Sequence, residues 1–237
     1  MGQNFIVMKK TLLIISLVAM IAMNGNAQSK DVRFGIKVGP TFDWASSGST
    51  AARSDGMRVG LNVGLVYDHY LTSHLAISSG VNANFLRMKY TFTDHRRIED
   101  FLEEADVSVS RRLKATNFEV PLKVKLGFDI MDSFRAYVEA GGGVSFNAKD
   151  LCKDSYSFYW VNYDSQTYED YTNQYRLLQL SMIFGVGAEY EINRTLSAFA
   201  QLTFDHSFSN AFVKSLEKQT GSILRNNFIG VEVGVLF

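Results

Sequence analysis

A chain of 237 residues, 46% hydrophobic and 20% charged, has room for one barrel-sized domain or two small ones. Its 24 basic and 24 acidic side chains leave no positive excess to neutralise phosphates, which argues against a nucleic-acid partner. With 18 Phe, 11 Tyr and only 2 Pro the chain favours strands, and its single cysteine, Cys152, excludes an intramolecular disulfide.

At the N-terminus, Lys9 and Lys10 precede an unbroken apolar run from Thr11 to Met23, and the small-x-small triplet Gly25-Asn26-Ala27 follows. The run is too short to span a bilayer, so residues 1–27 are expected to be a secretory signal peptide. Losing Lys9 and Lys10 leaves residues 28–237 as a slightly acidic mature domain. No later apolar stretch approaches the ~18 residues of a transmembrane helix. The exported chain is therefore expected in the periplasm, outside the cell, or in the outer membrane as a barrel.

Beyond residue 30 the helical period fails and the period of two succeeds. The first segment sets Phe34, Ile36, Val38, Pro40 and Phe42 against Gly35, Lys37, Gly39, Thr41 and Asp43. The second sets Val59, Leu61, Val63, Leu65 and Tyr67 against Arg58, Gly60, Asn62, Gly64 and Asp68. Segments at Leu75–Phe85, Asn117–Phe128, Phe134–Phe146, Leu178–Tyr190, Leu196–His206 and Ile229–Phe237 repeat the pattern. The total is about eight strands of roughly ten residues, the length a tilted membrane-crossing strand needs.

Short turns follow the second, fourth and sixth segments, and long polar stretches near 44–56, 91–112, 148–174 and 208–225 follow the others. This predicts an all-β, eight-stranded antiparallel transmembrane barrel with short periplasmic turns, longer extracellular loops and both termini periplasmic. A soluble barrel would show its polar face to water. Here the polar face is studded with glycine and with charges of both signs, which suits a crowded interior.

That interior set holds Lys37, Arg58, Lys123, Lys125 and Arg135 beside Asp68, Glu119, Glu139, Glu189, Asp205 and Glu232. It reads as a lumen plugged by mutual salt bridges, since isolated burial of charge is expensive, with a narrow channel as the alternative. No metal or cofactor is expected. His69 and His74 have no recognised ligand spacing, and Gly141-Gly142-Gly143 lacks the Gly-Lys-Ser/Thr of a phosphate loop. Asp205-His206-Ser207 has hydrolase residue types, but neighbours on a strand point to opposite faces, so no enzyme is expected. His206 reads instead as an interfacial polar residue.

Two loops stand out. Arg97 to Asp106 is expected to form one or two helical turns with Ile98, Phe101 and Leu102 on one side. The stretch near 148–174 gathers Tyr156, Tyr159, Trp160, Tyr163, Tyr168 and Tyr171, which either extend a hairpin beyond the membrane or form a recognition surface. The terminal Phe237 is expected in the periplasmic aromatic girdle.

The chain resembles the PorT-like outer-membrane barrels of Bacteroidetes-type bacteria. The likeness rests on Gly35-Ile36-Lys37-Val38-Gly39, Glu139-Ala140-Gly141-Gly142-Gly143 and Phe184-Gly185-Val186-Gly187-Ala188-Glu189-Tyr190. Its most specific element is Glu119-Val120-Pro121-Leu122, with Lys123 and Lys125 after it. The resemblance implies OmpX-like architecture and, for the founding member, a place in the type IX secretion machinery. It also implies that Phe237 belongs to the signal read by the barrel-assembly machinery. The partners expected are outer-membrane lipid, that machinery during biogenesis, and an outer-membrane protein complex.

Overall fold

Strands of alternating polarity can bury one face within a single sheet when that sheet curls into a closed ring. A computed structural model describes residues 32–47, 52–98, 103–158, 161–164, 176–210 and 224–237 of the chain. Its strands are β1 (Val32–Ser47), β2 (Ala52–Ser54), β3 (Arg58–Tyr70), β4 (Leu75–Ile98) and β5 (Glu103–Met131). They continue as β6 (Phe134–Phe158), β7 (Val161–Asp164), β8 (Leu178–Glu191), β9 (Ser197–Ser207) and β10 (Leu224–Leu236). No helix occurs among the described residues. The expected signal peptide lies outside them.

Eight strands form an antiparallel ring in the order β1, β3, β4, β5, β6, β8, β9, β10, and β10 returns to β1. The seam pairs Ile36 with Val235 and Lys37 with Gly234. The Phe237 N–H donates to the Phe34 carbonyl at 2.7 Å, and the Phe34 N–H donates back at 3.2 Å. One end of the ring carries tight connections. At the β8–β9 turn the Asn193 carboxamide oxygen accepts from the Thr195 and Leu196 backbone N–H groups, both at 2.9 Å, a local bond that Asn is suited to make.

Pro121 sits inside β5, where it can give no ladder hydrogen bond. Gly80 stands across from it with φ at 151°, and a Cβ there would lie 2.0 Å from the Leu65 carbonyl oxygen. The Ser79 hydroxyl bridges this gap by donating to the Pro121 carbonyl at 2.8 Å. A glycine thus lets the sheet bend where Pro121 has broken the ladder.

The wall reverses its polarity partway along. Toward the tight-turn end, Val120, Leu122, Val124 and Leu126 of β5 point out while Glu119, Lys123 and Lys125 are buried inside. Toward the other end of the same strand, Val109, Leu113 and Ala115 are buried and Arg112 and Lys114 are exposed. β4 does the same, with Asn82 and Asn84 buried in one half and Leu86, Met88, Tyr90 and Phe92 in the other. An apolar-out wall suits lipid, whereas a polar-out wall with an apolar core suits water. The reversal therefore marks where the barrel leaves the bilayer.

The strands are longer than expected: β4, β5 and β6 have 24, 29 and 25 residues. Much of the polar stretches at 91–112 and 148–174 is consequently strand. β4 and β5 continue outward as a paired blade, which β2 flanks on β4 and β7 on β6. Where helical turns are expected over 97–106, the described residues 97–98 and 103–106 continue this ladder, with Arg97 opposite Glu104 and Ile98 opposite Glu103. Extending a ladder already in register satisfies both backbones, while two lone helical turns are too short to be stable. Phe101 and Leu102 lie outside the described residues.

Candidate functional site

Because Cβ atoms alternate across a strand, inward residues from neighbouring strands stack in layers inside the ring. Nearest the tight-turn end, the Lys125 ammonium bonds Asp68 at 2.7 Å and also Glu189. It lies 4.2 Å from the centre of the Tyr137 ring, so a cation–π contact adds to the ion pairs. Arg33 approaches Glu189 at 3.6 Å from the rim. Tyr137 donates its hydroxyl to the Gln201 side-chain oxygen at 2.7 Å.

The middle layers hold two further pairs. Lys123 bonds Glu139 at 2.5 Å and Lys37 bonds Glu232 at 3.0 Å. Thr203 also donates to Glu232 at 3.0 Å, as does the Gln201 amide. Glu232 is fully buried, and one of its carboxylate oxygens gathers all three of these donors.

Above them Glu119 accepts from the Asn82 amide at 3.0 Å, the Asn84 amide at 3.3 Å and the Ser181 hydroxyl at 3.1 Å. Ser181 lies equally close to Asp205, at 2.9 Å. Asn62 donates to Asn84 to complete the layer. Asp43, at the junction with the apolar half, takes the Arg87 backbone N–H at 2.8 Å. The other half of the lumen is filled by Ala45, Leu86, Met88, Tyr90, Phe92, Val109, Leu113, Cys152 and Phe228. An enclosed cavity lined by Lys37, Asn82, Lys123 and Tyr137 has a volume of about 10 Å³, enough for about one water. A passage for solutes needs far more.

Two of the expected lumen residues sit elsewhere. Arg58 begins β3, and although its parity points inward it is exposed at the open rim, beyond the layers that would bury it. Arg135 is half-buried at the tight-turn rim and bonds Asp129 at 2.6 Å, with no lumen carboxylate as partner. Its guanidinium holds the Asp129 carboxyl below the usual carboxylate range. Conversely, Arg33 joins the network from the rim, and Asn62, Asn82, Asn84, Tyr137, Ser181, Gln201 and Thr203 join it with no charge to mark them; the sequence signal of these seven is inward parity.

On the outer wall His206 turns away from buried Asp205 and bonds the Asn227 side-chain oxygen at 2.5 Å. It stacks on Phe204 and meets Phe208 edge-on, while Trp44 stacks on Phe204 from the other side. This separation breaks up the Asp205-His206-Ser207 constellation. In the aromatic stretch the backbone of Tyr156 pairs with that of Tyr163, as in a prolonged hairpin. Tyr159, Trp160, Tyr168 and Tyr171 lie outside the described residues. Phe237 is half-exposed at the seam.

A closed ring with a lipid-suited outer wall and an ion-paired interior defines an integral outer-membrane β-barrel. The chain belongs to the family described as outer membrane protein beta-barrel domain, whose profile matches residues 26–216. β10, which closes the ring, lies beyond that match. Among solved structures the chain is similar to Neisserial surface protein A, at 11% identity and a TM-score of 0.43, covering 86% of this chain and 95% of that one. It is similar to the attachment invasion locus protein of Yersinia pestis, at 11% identity and a TM-score of 0.36, covering 87% and 99%. Outer membrane protease OmpT of Escherichia coli gives 9% identity and a TM-score of 0.47, covering 89% and 97%. No curated protein sequence matches significantly.

Proposed function

We propose that this outer-membrane barrel is a non-enzymatic anchor that holds a protruding β-blade outside the cell for contact with another envelope or surface component. The single observation that carries this reading is the polarity reversal. β5 has 29 residues where a tilted crossing needs about ten, and its outer part turns Val109, Leu113 and Ala115 inward, with Arg111 buried over the Phe92 ring, and Arg112 and Lys114 outward. At ~3.3 Å per residue the stretch beyond the reversal, residues 103–116, extends on the order of 45 Å past it. In this reading the tight turns and both termini face the periplasm, and residues 1–27 are the signal that sends the chain there. The resemblance at Glu119-Val120-Pro121-Leu122 supports the narrower reading of a PorT-like subunit in a secretion, assembly or uptake complex.

The test compares the full barrel with a variant in which residues 93–108 are replaced by a two-residue turn. Both are purified in mild detergent, and co-eluting proteins are identified by mass spectrometry. A stoichiometric partner held by the full chain and lost from the truncated, still folded barrel is the expected result. Absence of any stoichiometric partner with the full chain sinks the contact role.

A further inference from the structure

Among the described residues, the outward-facing wall of β8, β9, β10 and β1 carries one side chain of fixed charge. The others that point outward by parity are apolar or neutral, from Tyr190 and Ala198 at the tight-turn end to Met182, Trp44 and Ser46 at the other. The exception is Arg225, which shares the outward parity of Asn227 and Ile229. No ion pair joins it to a described residue, and its Nε is buried with no hydrogen-bond partner. An idle donor on a guanidinium beside lipid is costly to leave so.

A line of polar side chains ends at the same spot. His206 Nδ1 lies 2.5 Å from the Asn227 side-chain oxygen, and the Asn227 amide donates to the Ser46 hydroxyl at 3.0 Å. Accepting there leaves the Ser46 proton to be given elsewhere. Ser46 stands directly across from Arg225 in the β1–β10 register, so a hydroxyl donor and a guanidinium sit side by side on the wall. Trp44, Phe204 and Phe208, rings of the kind that mark a membrane interface, frame this line. Phe204 also belongs to what lies below it. An open groove of about 630 Å³ marks the wall there, lined by Val138, Ala140, Phe184, Leu202, Phe204 and Ile229. Ala140, flanked across the ladder by Val124 and Phe184, is the smallest of these six side chains.

We propose that Arg225 and Ser46 hold the phosphate of one acyl lipid whose chain lies in the groove below Phe204. A guanidinium presents planar, charged donors that match phosphate oxygens, and the adjacent hydroxyl adds one more. No described acid points outward from these four strands to repel the headgroup. The groove suits an acyl chain, because its two polar lining residues, Glu139 and Thr203, are buried in the lumen. Phe204 is common to the polar line and the groove, which makes them one surface for one amphiphile. A free phosphate would use the upper part alone. A second copy of the barrel, meeting this wall with the same wall, would bring no acid to Arg225. The inference rests on the chain being a membrane barrel and is independent of the blade and its partner.

The test supplies the full barrel, in detergent micelles, with phosphatidylglycerol, with diacylglycerol of the same chains, or with inorganic phosphate, and measures retention by native mass spectrometry. Wild type is expected to keep one phosphatidylglycerol about fivefold more tightly than diacylglycerol, the weight of one basic side chain at a lipid headgroup, and to keep no inorganic phosphate. Arg225→Gln is expected to erase that preference and leave the diacylglycerol affinity unchanged. Ala140→Phe, which fills the groove, is expected to weaken both lipids. Equal retention of the two lipids by wild type overturns the proposal, as does an Arg225→Gln barrel that keeps the preference. Inorganic phosphate held as tightly as the lipid, or indifference to Ala140→Phe, overturns the groove as the seat of the chain. Dimers that persist when phosphatidylglycerol is supplied give the wall to a second copy and overturn it too. Heat-modifiable gel migration reports folding, and if a variant does not fold the wild-type arms decide alone.

Discussion

Lys125 bonds both Asp68 and Glu189 and lies against Tyr137, so Lys125→Met strands buried carboxylates while preserving volume. Removing one partner of such a set costs about 3–5 kcal/mol, and a urea midpoint measured in micelles is expected to fall accordingly. Asp129 gives the opposite, mild case at the rim. Arg135 lowers its carboxyl in the folded state, so the contact contributes fully above the ordinary carboxylate range. That contribution is lost as pH falls through the lowered folded value. With its side chain half in water, Asp129 is expected to change local hydrogen exchange of the β5–β6 turn on acidification and leave global unfolding unmoved. Asp129→Asn should abolish the pH dependence; persistence of it would assign the effect elsewhere.

At the scale of elements, alternation made the membrane half of each strand legible and hid the other half. In β5 the run Phe118–Phe128 keeps one phase, apolar out, and its inward Glu119, Lys123 and Lys125 stand where parity puts them. Past Thr116 the phase swaps, and the charged outward residues Arg112 and Lys114 make a strand look like a polar loop. Period alone cannot report which face meets lipid. The same ambiguity misplaced Arg58, whose parity is right and whose depth is wrong, and it passed over Asn82 and Ser181, which carry no charge to mark them. The inner face of the blade packs on the apolar plug of the lumen, around Met88, Tyr90, Leu113 and Cys152. Tyr90→Ala is therefore expected to destabilise the blade by about 3–5 kcal/mol, by analogy with other large-to-small aromatic losses. Proteolysis of detergent-solubilised barrels should then cut the blade and spare the membrane half. Equal resistance of variant and wild type would count against the plug as the support of the blade.

For the whole molecule, ion pairs and an apolar plug in series close the lumen, and reconstituted barrels are expected to show no current above background in planar bilayers. Steady single-channel steps would revive the channel reading. Ring closure puts its own demand on the ends of the chain. Deleting Phe237 removes both terminal hydrogen bonds to Phe34 and, in the assembly reading, the aromatic that the assembly machinery reads. Its level in the outer membrane is expected to fall further than its loss of refolded stability in micelles explains. Matched losses would leave only a structural role.

The seam also sets a clock. Lys37 and Glu232 are 195 residues apart in sequence, so their bond can form only after nearly every other strand has found its neighbour. Contacts of such separation carry the largest loop-closure entropy and come late, after the folding barrier where nucleation is local. Breaking this pair should hasten unfolding and leave the folding rate almost untouched. Gly39 lies on the same seam, where a Cβ would come 2.0 Å from the Val231 carbonyl oxygen. The barrel's lifetime is thus governed by its two end strands, and a latch made last is the one that must open first.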